Sequence, residues 1–439
     1  MMFYCLAFFS ALALQAPESQ KPNILLIMAD DVGIEAFSSY GGESYHTPNI
    51  DALAEQGMQF SHCYSQPLCT PSRVKLMTGK SNLRNYVAFS ILDPKERTFA
   101  HLAKAAGYST AIAGKWQLLG ASHYGEWAGR GTTPNQAGFD SWCLWQVGEL
   151  GSRYWNPQME VDGELQDPVQ GGFGPDLSCQ HLLDFAAEHR TEPFLAYFPM
   201  NLVHAPFVHT PLTRTAETAE VNPGSKQERF AEMMTYMDVV VGRLVSGLDA
   251  LGLRERTLIV FIGDNGTSRL IQSVRNGQTV RGAKASPINA GTHVPLIASW
   301  PGRIEPGTTC DDLIDFSDFM PTIAEAIGQS IPSDQVCDGY SFLPQLLGQT
   351  GRPRKFITIY SNPRLGDPPK PPRICFARNK DFKLYDDGRM FNCTKDFGEE
   401  NALSVGELNP VQRRAHMVLQ EALKNLPVEP PHLRGSSQD

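Results

Sequence analysis

The sequence predicts an α/β fold, with a large, doubly wound, mostly parallel sheet flanked by helices and a small C-terminal α+β domain. Continuous apolar runs, typical of strands buried on both faces, alternate with helical patterns up to residue 330. The 439 residues are enough for one large domain and a smaller one. After the proline-rich stretch 362–372 the pattern changes to two short strands and a final helix, which predicts the C-terminal unit.

Each predicted element follows from its hydrophobic period and from the residues at its ends. Apolar runs predict strands at 24–29, 59–64, 108–113, 194–198, 258–263 and 294–300, and short antiparallel strands at 374–378 and 382–385. Helical patterns predict helices at 48–57, 74–80, 98–106, 176–189, 227–251 and 410–426. Residues 119–175 are rich in Gly, Trp and Pro and have no clear period, so we expect a substrate-facing insertion there.

The N-terminus carries an apolar run, Phe3–Leu14, of signal-peptide length and too short to span a bilayer comfortably. Small residues allow cleavage near Ala13 or after Ala16, and Pro17 argues against a buried strand or helix at this place. We therefore predict a signal peptide at 1–16 and an exported protein. No later stretch of the sequence is long enough to cross a membrane.

The amino-acid composition limits the classes of molecule that we expect this protein to bind. Hydrophobic residues make up 41% and charged residues 19% of the chain, which indicates a globular protein. Because the net charge is -9 and no basic stripe is present, we expect no nucleic-acid partner. A small anionic substrate would have to be held by a few converging cations. The nine cysteines include no C-x-x-C pair, which argues against structural zinc, and Cys310–Cys337 and Cys375–Cys393 are candidate disulfides.

Two predicted strands end in oxygen-bearing side chains. Asp30-Asp31 follow the first strand, and Asp264-Asn265 follow the strand at 258–263. Ligands of open α/β sheets bind at the carboxyl ends of strands, and such oxygens are the ligands of hard cations. Together they predict a cation site. Other acidic pairs have local explanations, because Asp311-Asp312 precedes a helical pattern and Asp386-Asp387 lies in a turn.

The segment Cys69-Thr70-Pro71-Ser72-Arg73 places a soft nucleophile close to a guanidinium. We expect Ser72 to cap the following helix, so that Cys69 lies just outside a helix N-terminus, where unpaired N–H groups favour an anion. The fork of Arg73 suits a tetrahedral oxyanion such as sulfate or phosphate. Lys115, His204 and Lys284 also follow predicted strands or lie in glycine-rich loops, which makes them candidates for the same site.

These motifs together resemble the sulfatases of the alkaline phosphatase superfamily, in the same order and with similar spacing. They cover residues 23–302, and the segments around Lys383 and Glu399 resemble the small C-terminal domain of that family. The motifs are Asp30-Asp31, Cys69–Arg73, Gly114-Lys115-Trp116, His204-Ala205-Pro206, Gly263–Gly266, Lys284 and Val294–Gly302. The resemblance implies a catalytic sulfatase domain at 22–350 and a C-terminal antiparallel-sheet-plus-helix subdomain at 351–430.

The resemblance also implies a mechanism. A maturation enzyme converts Cys69 to formylglycine, which hydrates to a diol; one diol oxygen attacks sulfur, and sulfate is then expelled as the aldehyde re-forms. A divalent cation, calcium first and magnesium second because all side-chain ligands are oxygens, lowers the pKa of the diol. The implied ligands of the cation are Asp30, Asp31, Asp264, Asn265 and the modified residue 69.

The remaining motif residues receive roles from the same resemblance. Arg73 would stabilise the diol, Lys115 and Lys284 would bind the sulfate oxygens, and His204 would be the general acid. The family commonly has a histidine at the position of Gln117, which could hydrogen-bond sulfate but could not transfer a proton. The segment 289–293 also differs from the family, and we expect a structural role for its His293.

We therefore expect an exported, calcium-dependent sulfatase that acts on a sulfated small molecule or saccharide, and the resemblance favours a sulfated carbohydrate. Five aromatic residues of the 119–175 segment could stack on sugar rings, or could simply pack: Trp127, Trp142, Trp145, Tyr154 and Trp155. Two alternatives remain open. One is a phosphodiester or phosphonate ester hydrolase of the same superfamily, and the other is a catalytically inactive sulfate-binding relic, which Gln117 motivates.

Overall fold

A sheet of eleven strands forms the centre of the main domain among the residues that the structure, a computed structural model, describes: 21–215, 224–362 and 373–428. The predicted signal peptide at 1–16 lies outside these residues. Within the three ranges, no helix combines the length and the apolar composition that a membrane span requires.

The strands occur in the following order along the chain. They are β1 (Asn23–Ala29), β2 (Met58–Tyr64), β3 (Ser109–Lys115), β4 (Ser141–Trp145), β5 (Glu160–Val161), β6 (Glu164–Leu165), β7 (Phe194–Pro199), β8 (Thr257–Gly263), β9 (Gln272–Arg275), β10 (Gln278–Arg281), β11 (His293–Val294), β12 (Leu296–Ser299), β13 (Thr308–Asp315), β14 (Ile357–Ser361), β15 (Ile374–Arg378), β16 (Phe382–Tyr385) and β17 (Met390–Asn392).

The α-helices cover both faces of the main sheet and one face of the C-terminal sheet. They are α1 (Pro48–Glu55), α2 (Cys69–Thr78), α3 (Asn82–Asn85), α4 (Phe99–Ala105), α5 (Gly174–Glu188), α6 (Lys226–Ala250), α7 (Asn289–Thr292), α8 (Phe319–Ala326), α9 (Leu343–Leu346) and α10 (Pro410–Lys424). Apolar residues of α2, α4 and α8 pack on one face of the sheet, and those of α1, α5 and α6 on the other.

The order of strands in the main sheet is β11-β2-β12-β8-β1-β7-β3-β4-β5-β6, and β13 pairs with β2. The five central strands from β8 to β4 are parallel, which confirms the predicted doubly wound sheet. Antiparallel strands, β12 on one side and β5 on the other, flank this parallel part. Every residue of β1 and β8 is buried, as their continuous apolar sequences predict.

The predicted C-terminal α+β unit is also present. Strands β14 to β17 form an antiparallel sheet, and α10 packs its buried residues against Ala377, Phe382 and Leu384. The opposite face of this sheet meets the main domain in an apolar cluster that includes Tyr64 and Leu313. The C-terminal unit therefore packs against the main domain at β2 and β13.

Two local predictions were wrong. Helix α2 begins at Cys69 with Leu68 as N-cap, and Ser72 lies inside the helix, where its hydroxyl exchanges hydrogen bonds with the backbone of Gln66. Asp311-Asp312 lie in β13 and not at a helix start. The predicted insertion at 119–175 contains strands of its own, because it supplies β4 to the parallel sheet and β5 and β6 beyond it.

The structure forms neither candidate disulfide, Cys310–Cys337 or Cys375–Cys393. In the second pair the two side chains belong to different apolar clusters: Cys375 packs with Leu83 and Tyr86, whereas Cys393 packs with Phe376 and Phe391. Cys375 and Cys393 follow one another among the cysteines of the sequence, but their side chains do not face each other as a disulfide requires.

Lys75 connects α2 to both sheets. Its Nζ donates to Asp315 Oδ2 at 2.7 Å and to the carbonyl oxygen of Thr358 in β14 at 3.1 Å. Lys75 and Asp315 are buried, with side-chain exposures of 3% and 4%. The helix that begins with Cys69 is thus fixed by a buried ion pair.

We predict that Lys75→Met lowers the free energy of unfolding by about 3–5 kcal/mol, because it leaves the Asp315 carboxylate buried without its counter-ion. The matched control is Lys104→Met, since Lys104 pairs with Asp140 at the surface, where such a pair contributes no more than about 1 kcal/mol. Denaturant unfolding followed by tryptophan fluorescence measures both. Equal losses in the two variants would contradict the role given to the buried pair.

Candidate active site

The carboxyl ends of β1 and β8 lie side by side, because the parallel register pairs Ala29 with Gly263. The next residues therefore meet. Asp31 donates its backbone N–H to Asp264 Oδ1 at 3.1 Å, and Asn265 Nδ2 donates to Asp31 Oδ1 at 2.8 Å. The four predicted metal ligands at these two strand ends are thus neighbours, and all are buried.

Two glycines allow the backbone to approach closely enough for this arrangement. Gly114, which precedes Lys115 in β3, has φ +116°, and a Cβ there would lie 2.1 Å from the carbonyl oxygen of Pro199. A Cβ on Gly266 would lie 1.9 Å from the carbonyl oxygen of Ala290. Side chains at either position would force apart the segments that carry the site.

Three cationic side chains converge on the carboxylates, as the sequence predicted. Lys115 Nζ lies 2.8 Å from Asp30 Oδ2, and Lys284 Nζ lies 2.7 Å from Asp31 Oδ2. The Arg73 guanidinium contacts Asp264 Oδ2 through Nη2 at 3.2 Å and donates from Nη1 to the carbonyl oxygen of Lys115 at 3.1 Å.

Among the residues that the structure describes, two buried oxygens of the cluster have no hydrogen-bond partner: Asp30 Oδ1 and Asn265 Oδ1. Buried acceptors are normally satisfied, so orphaned ones mark a place for a donor or a cation. Ligand atoms of Asp30, Asp31 and His204 also lie within 4.8 Å of one another. The donor set of this site therefore fits a hard divalent cation.

The charges in this cluster shift one another's pKa values. Burial alone would raise the pKa of Asp30, but Lys115, His204, Arg73 and Lys284 lower it by more, so this carboxylate stays ionised. Burial and then the charge of Asp30 raise the pKa of Asp264, which the nearby cations oppose. A cation bound among these groups would favour the ionised form of all of them.

Cys69 lies within the same cluster. Burial lowers the pKa of Lys284, and the nearby acidic groups, first of all Asp31, raise it by more, so the net direction is upward. The Cys69 Sγ lies 3.8 Å from Gln117 Oε1, and Gln117 Nε2 donates to the hydroxyl of Tyr124 at 3.1 Å. The structure thus places Gln117 beside the predicted nucleophile.

His204 lies at the opening of the site. Its Nε2 is 3.6 Å from Asp31 Oδ2, and its side chain is 22% exposed, as is 20% of Lys284, whereas Asp30 is fully buried. Burial lowers the pKa of His204 to about 4, although Asp31 and Asp30 act to raise it. The neutral imidazole is therefore the main form near pH 7 before an anion binds.

The sequence predicted neither Arg153 nor Gln146 and Asn201 at this site, and it indicated Tyr154 only as an aromatic residue that could stack on sugars or pack. Arg153 Nη1 lies 2.8 Å from His204 Nδ1, and the Tyr154 hydroxyl donates to the carbonyl oxygens of Asn201 and His204, each at 2.6 Å. Both residues come from the loop after β4, which has no period to reveal it. Gln146 and Asn201, just after β4 and β7, are buried amides without a hydrogen-bond partner among the described residues.

The other sequence-level candidates have packing roles. His293 is buried, packs against Tyr64 at 4.5 Å between ring centroids and bonds through Nε2 with the carbonyl oxygen of Ser61, which agrees with the structural role expected of it. Of the five aromatic residues proposed to stack on sugars, Trp142, Trp145 and Tyr154 are buried, which favours the packing alternative for those three.

Comparison with known proteins agrees with this geometry. The family model described as Sulfatase matches residues 22–329. Arylsulfatase A of Bos taurus is 31% identical over 80% of this chain and 73% of its own length. N-acetylgalactosamine-6-sulfatase of Canis lupus familiaris is 32% identical over 75% of this chain and 66% of its own.

Solved structures share the fold at lower identity. Ps i-CgsB in complex with k-i-k-neocarrahexaose has a TM-score of 0.74 and 22% identity, covering 92% of this chain and 93% of that one. The phosphonate monoester hydrolase of Agrobacterium radiobacter has a TM-score of 0.68 and 19% identity, covering 92% and 95%. The family model, which spans most of the main domain, and relatives above 30% identity show that this chain belongs to the sulfatase family.

Proposed function

We propose that this protein hydrolyses sulfate esters of carbohydrates. The observation that carries the proposal is the convergence of Arg73, Lys115 and Lys284 on the buried carboxylates beside Cys69. Fixed positive charges around a buried point stabilise the negative charge that develops on a reacting sulfate. The sulfatase names of the relatives, one of which is an N-acetylgalactosamine-6-sulfatase, support both the reaction and the substrate class.

Asp30, Asp31, Asp264 and Asn265 would hold a divalent cation, for which we propose calcium, with magnesium as the alternative. The orphaned oxygens Asp30 Oδ1 and Asn265 Oδ1 support this assignment. When present, the cation would neutralise the carboxylates, and a formylglycine made from Cys69 by a maturation enzyme would supply a nucleophilic hydroxyl and a further ligand. We also propose that the protein is exported, because of the apolar N-terminal run.

The two lysines would bind the sulfate oxygens. Each ammonium group has three N–H donors, and the carboxylates of Asp30 and Asp31 leave donors over for a ligand. Asp264 and the carbonyl oxygen of Lys115 hold the Arg73 guanidinium, which would place a fixed positive charge next to position 69. These contacts orient the ester with its leaving oxygen toward the opening.

His204 would donate a proton to the leaving alcohol oxygen, because it lies at the opening and its imidazole can exchange a proton near neutral pH. The bound sulfate ester, being an anion, would raise the pKa of His204 and so favour the protonated form. Gln117 would contact the sulfate or the group at position 69 through its amide, without transferring a proton.

The first of three predictions about the site concerns the reaction itself. Protein produced together with its maturation machinery should carry an aldehyde in place of the Cys69 thiol, and should hydrolyse 4-nitrophenyl sulfate faster than bis(4-nitrophenyl) phosphate. Intact-peptide mass spectrometry and release of nitrophenolate measure the two. Cys69→Ala is the control and should reduce turnover to the background rate.

The same measurements separate the alternatives. A preference for the phosphate diester would favour the alternative of a phosphodiester or phosphonate ester hydrolase. The phosphonate monoester hydrolase of Agrobacterium radiobacter shares the fold of this chain. An unmodified thiol at position 69 in protein made with its maturation machinery would favour the sulfate-binding relic.

The second prediction concerns the metal. Asp264→Ala should abolish binding of the divalent cation, because it deletes a charged ligand at the centre of the cluster. Elemental analysis of the purified protein gives the metal content. Asp311→Ala is the matched control, since this exposed carboxylate pairs with Lys380 outside the site and its loss should leave the metal content unchanged. Wild-type metal content in Asp264→Ala would contradict the ligand assignment.

The third prediction concerns proton transfer. His204→Ala should lower kcat by about 10²–10⁴-fold for alkyl sulfates, the usual range for loss of a general acid or base. Aryl sulfates with acidic phenol leaving groups need less protonation and should lose much less. A series of sulfate esters with graded leaving-group pKa measures this difference. Equal losses across the series would mean that His204 has another role.

A further inference from the structure

The side chain of Gln117 contacts the predicted nucleophile at one end and a partly exposed tyrosine at the other. Its Oε1 accepts from the Cys69 thiol at a Sγ–Oε1 distance of 3.8 Å, and its Nε2 donates to the Tyr124 hydroxyl at 3.1 Å. A side-chain amide has one acceptor end and one donor end. The acceptor end of Gln117 therefore faces position 69, and the donor end faces Tyr124.

The backbone of Gln117 is fixed independently of its side chain. Its N–H donates to the carbonyl oxygen of Gln146 at 3.1 Å, and the N–H of Trp116 donates to that of Trp145 at 3.0 Å. The ends of β3 and β4 thus hold the main chain at this point. In the part of the chain that the structure describes, Tyr124 is the hydrogen-bond partner of Gln117 Nε2, so this contact sets the rotation of the amide.

Tyr124 is itself held in place. It lies in a short 3-10 helix, Ser122–Trp127, whose first N–H donates to the carbonyl oxygen of Gly148 at 2.9 Å. The ring of Tyr124 packs against His123 at 4.1 Å and lies 6.4 Å from Phe89, both measured between ring centroids. The hydroxyl that receives the Gln117 N–H is therefore on a ring with contacts on two sides.

An acceptor that faces position 69 distinguishes the groups that can stand there. The oxygens of sulfate and of an aldehyde are acceptors only, whereas a hydroxyl can donate to Gln117 Oε1. When water adds to an aldehyde, its oxygen bonds to the carbonyl carbon and one of its protons moves to the carbonyl oxygen, which leaves two hydroxyls. One added hydrogen bond would favour this hydrated form by about 2–10-fold.

We propose that Tyr124 is a positioning residue that turns the amide oxygen of Gln117 toward position 69, so that Gln117 stabilises the hydrated form of a formylglycine there and does not bind the sulfate. This inference rests on the proposed sulfatase function. It decides between the two contacts open to Gln117, and it gives this position a role that needs an acceptor but no proton transfer.

Labelling of the aldehyde tests the role of Gln117 without turnover. Gln117→Met keeps the length of the side chain and removes its hydrogen-bonding groups, so the share of free aldehyde should rise by about 2–10-fold. Methoxyamine labelling of the native protein, followed by mass spectrometry of the peptide that contains residue 69, measures this share. Labelling of the denatured protein gives the total aldehyde and corrects for differences in maturation.

Tyr124→Phe should raise the aldehyde share in the same direction, because the amide loses the partner that orients it. The matched control is Tyr108→Phe. The Tyr108 hydroxyl is buried without a hydrogen-bond partner among the described residues, and Tyr108 precedes β3, at the end of that strand opposite to Lys115. This control should keep the wild-type aldehyde share.

A double variant separates positioning from a general disturbance of the site. Tyr124→Phe should have no further effect on the aldehyde share in the Gln117→Met background, because its effect passes through that amide. Calorimetry with inorganic sulfate gives an independent readout. Gln117→Met and Tyr124→Phe should both keep the wild-type affinity for sulfate, since the amide oxygen offers sulfate no donor.

Three results would overturn the inference: an unchanged aldehyde share in Gln117→Met, a tenfold loss of sulfate affinity in that variant, or an effect of Tyr124→Phe that persists in the double variant. The proposed function fails by a different result, a wild type that carries no aldehyde and does not hydrolyse 4-nitrophenyl sulfate. That result would also remove the hydration role. The unfolding free energies of the two single variants and the double variant would then still decide the positioning, because additive losses would show that Tyr124 does not hold the amide.

Discussion

Three carboxylates buried at the ends of two adjacent strands are the constraint on which the rest of the site depends. The pairing of Ala29 with Gly263 makes Asp30, Asp31 and Asp264 neighbours in a place that is buried from solvent. Ionised carboxylates at such a place are strongly destabilising unless positive charge compensates them. The buried cationic side chains around them therefore stabilise the cluster and also contribute to its chemistry. A bound divalent cation would compensate the remaining negative charge of the carboxylates.

The C-terminal subdomain takes part in this arrangement through the loop that carries Lys284. The fully buried Lys383 donates to the carbonyl oxygen of Pro287 at 2.7 Å, and Arg378 donates to Asn289 Oδ1 at 2.6 Å. Pro287 and Asn289 follow Lys284 within five residues of the chain. The small antiparallel sheet thus holds one wall of the site.

The sequence predicted the parts of the site that lie on regular elements. A continuous apolar run followed by polar residues marks the end of a buried strand. Asp30 and Asp264 could therefore be identified from the sequence, and their proximity in the structure could be expected. Arg153 could not be found in this way, because its loop has no period and its contact with His204 spans 51 positions. The start of α2 was misplaced for a related reason: Ser72 has a capping residue's chemistry, but its hydroxyl bonds with Gln66, a contact that local sequence does not reveal.

Gln117 stands where the family commonly has a histidine, and this difference changes which side chains of the site can transfer a proton. Its backbone adopts φ +53° and its N–H donates to the carbonyl oxygen of Gln146, so the side chain is held beside Cys69 by the ends of β3 and β4. An amide in this position supplies fixed dipoles at every pH but accepts no proton. Among the described residues, His204 is the histidine that contacts the carboxylates of the site. In the proposed reaction, proton transfers that two imidazoles could share would therefore pass through His204 or through water, so protons would enter and leave at the opening of the pocket rather than at its floor.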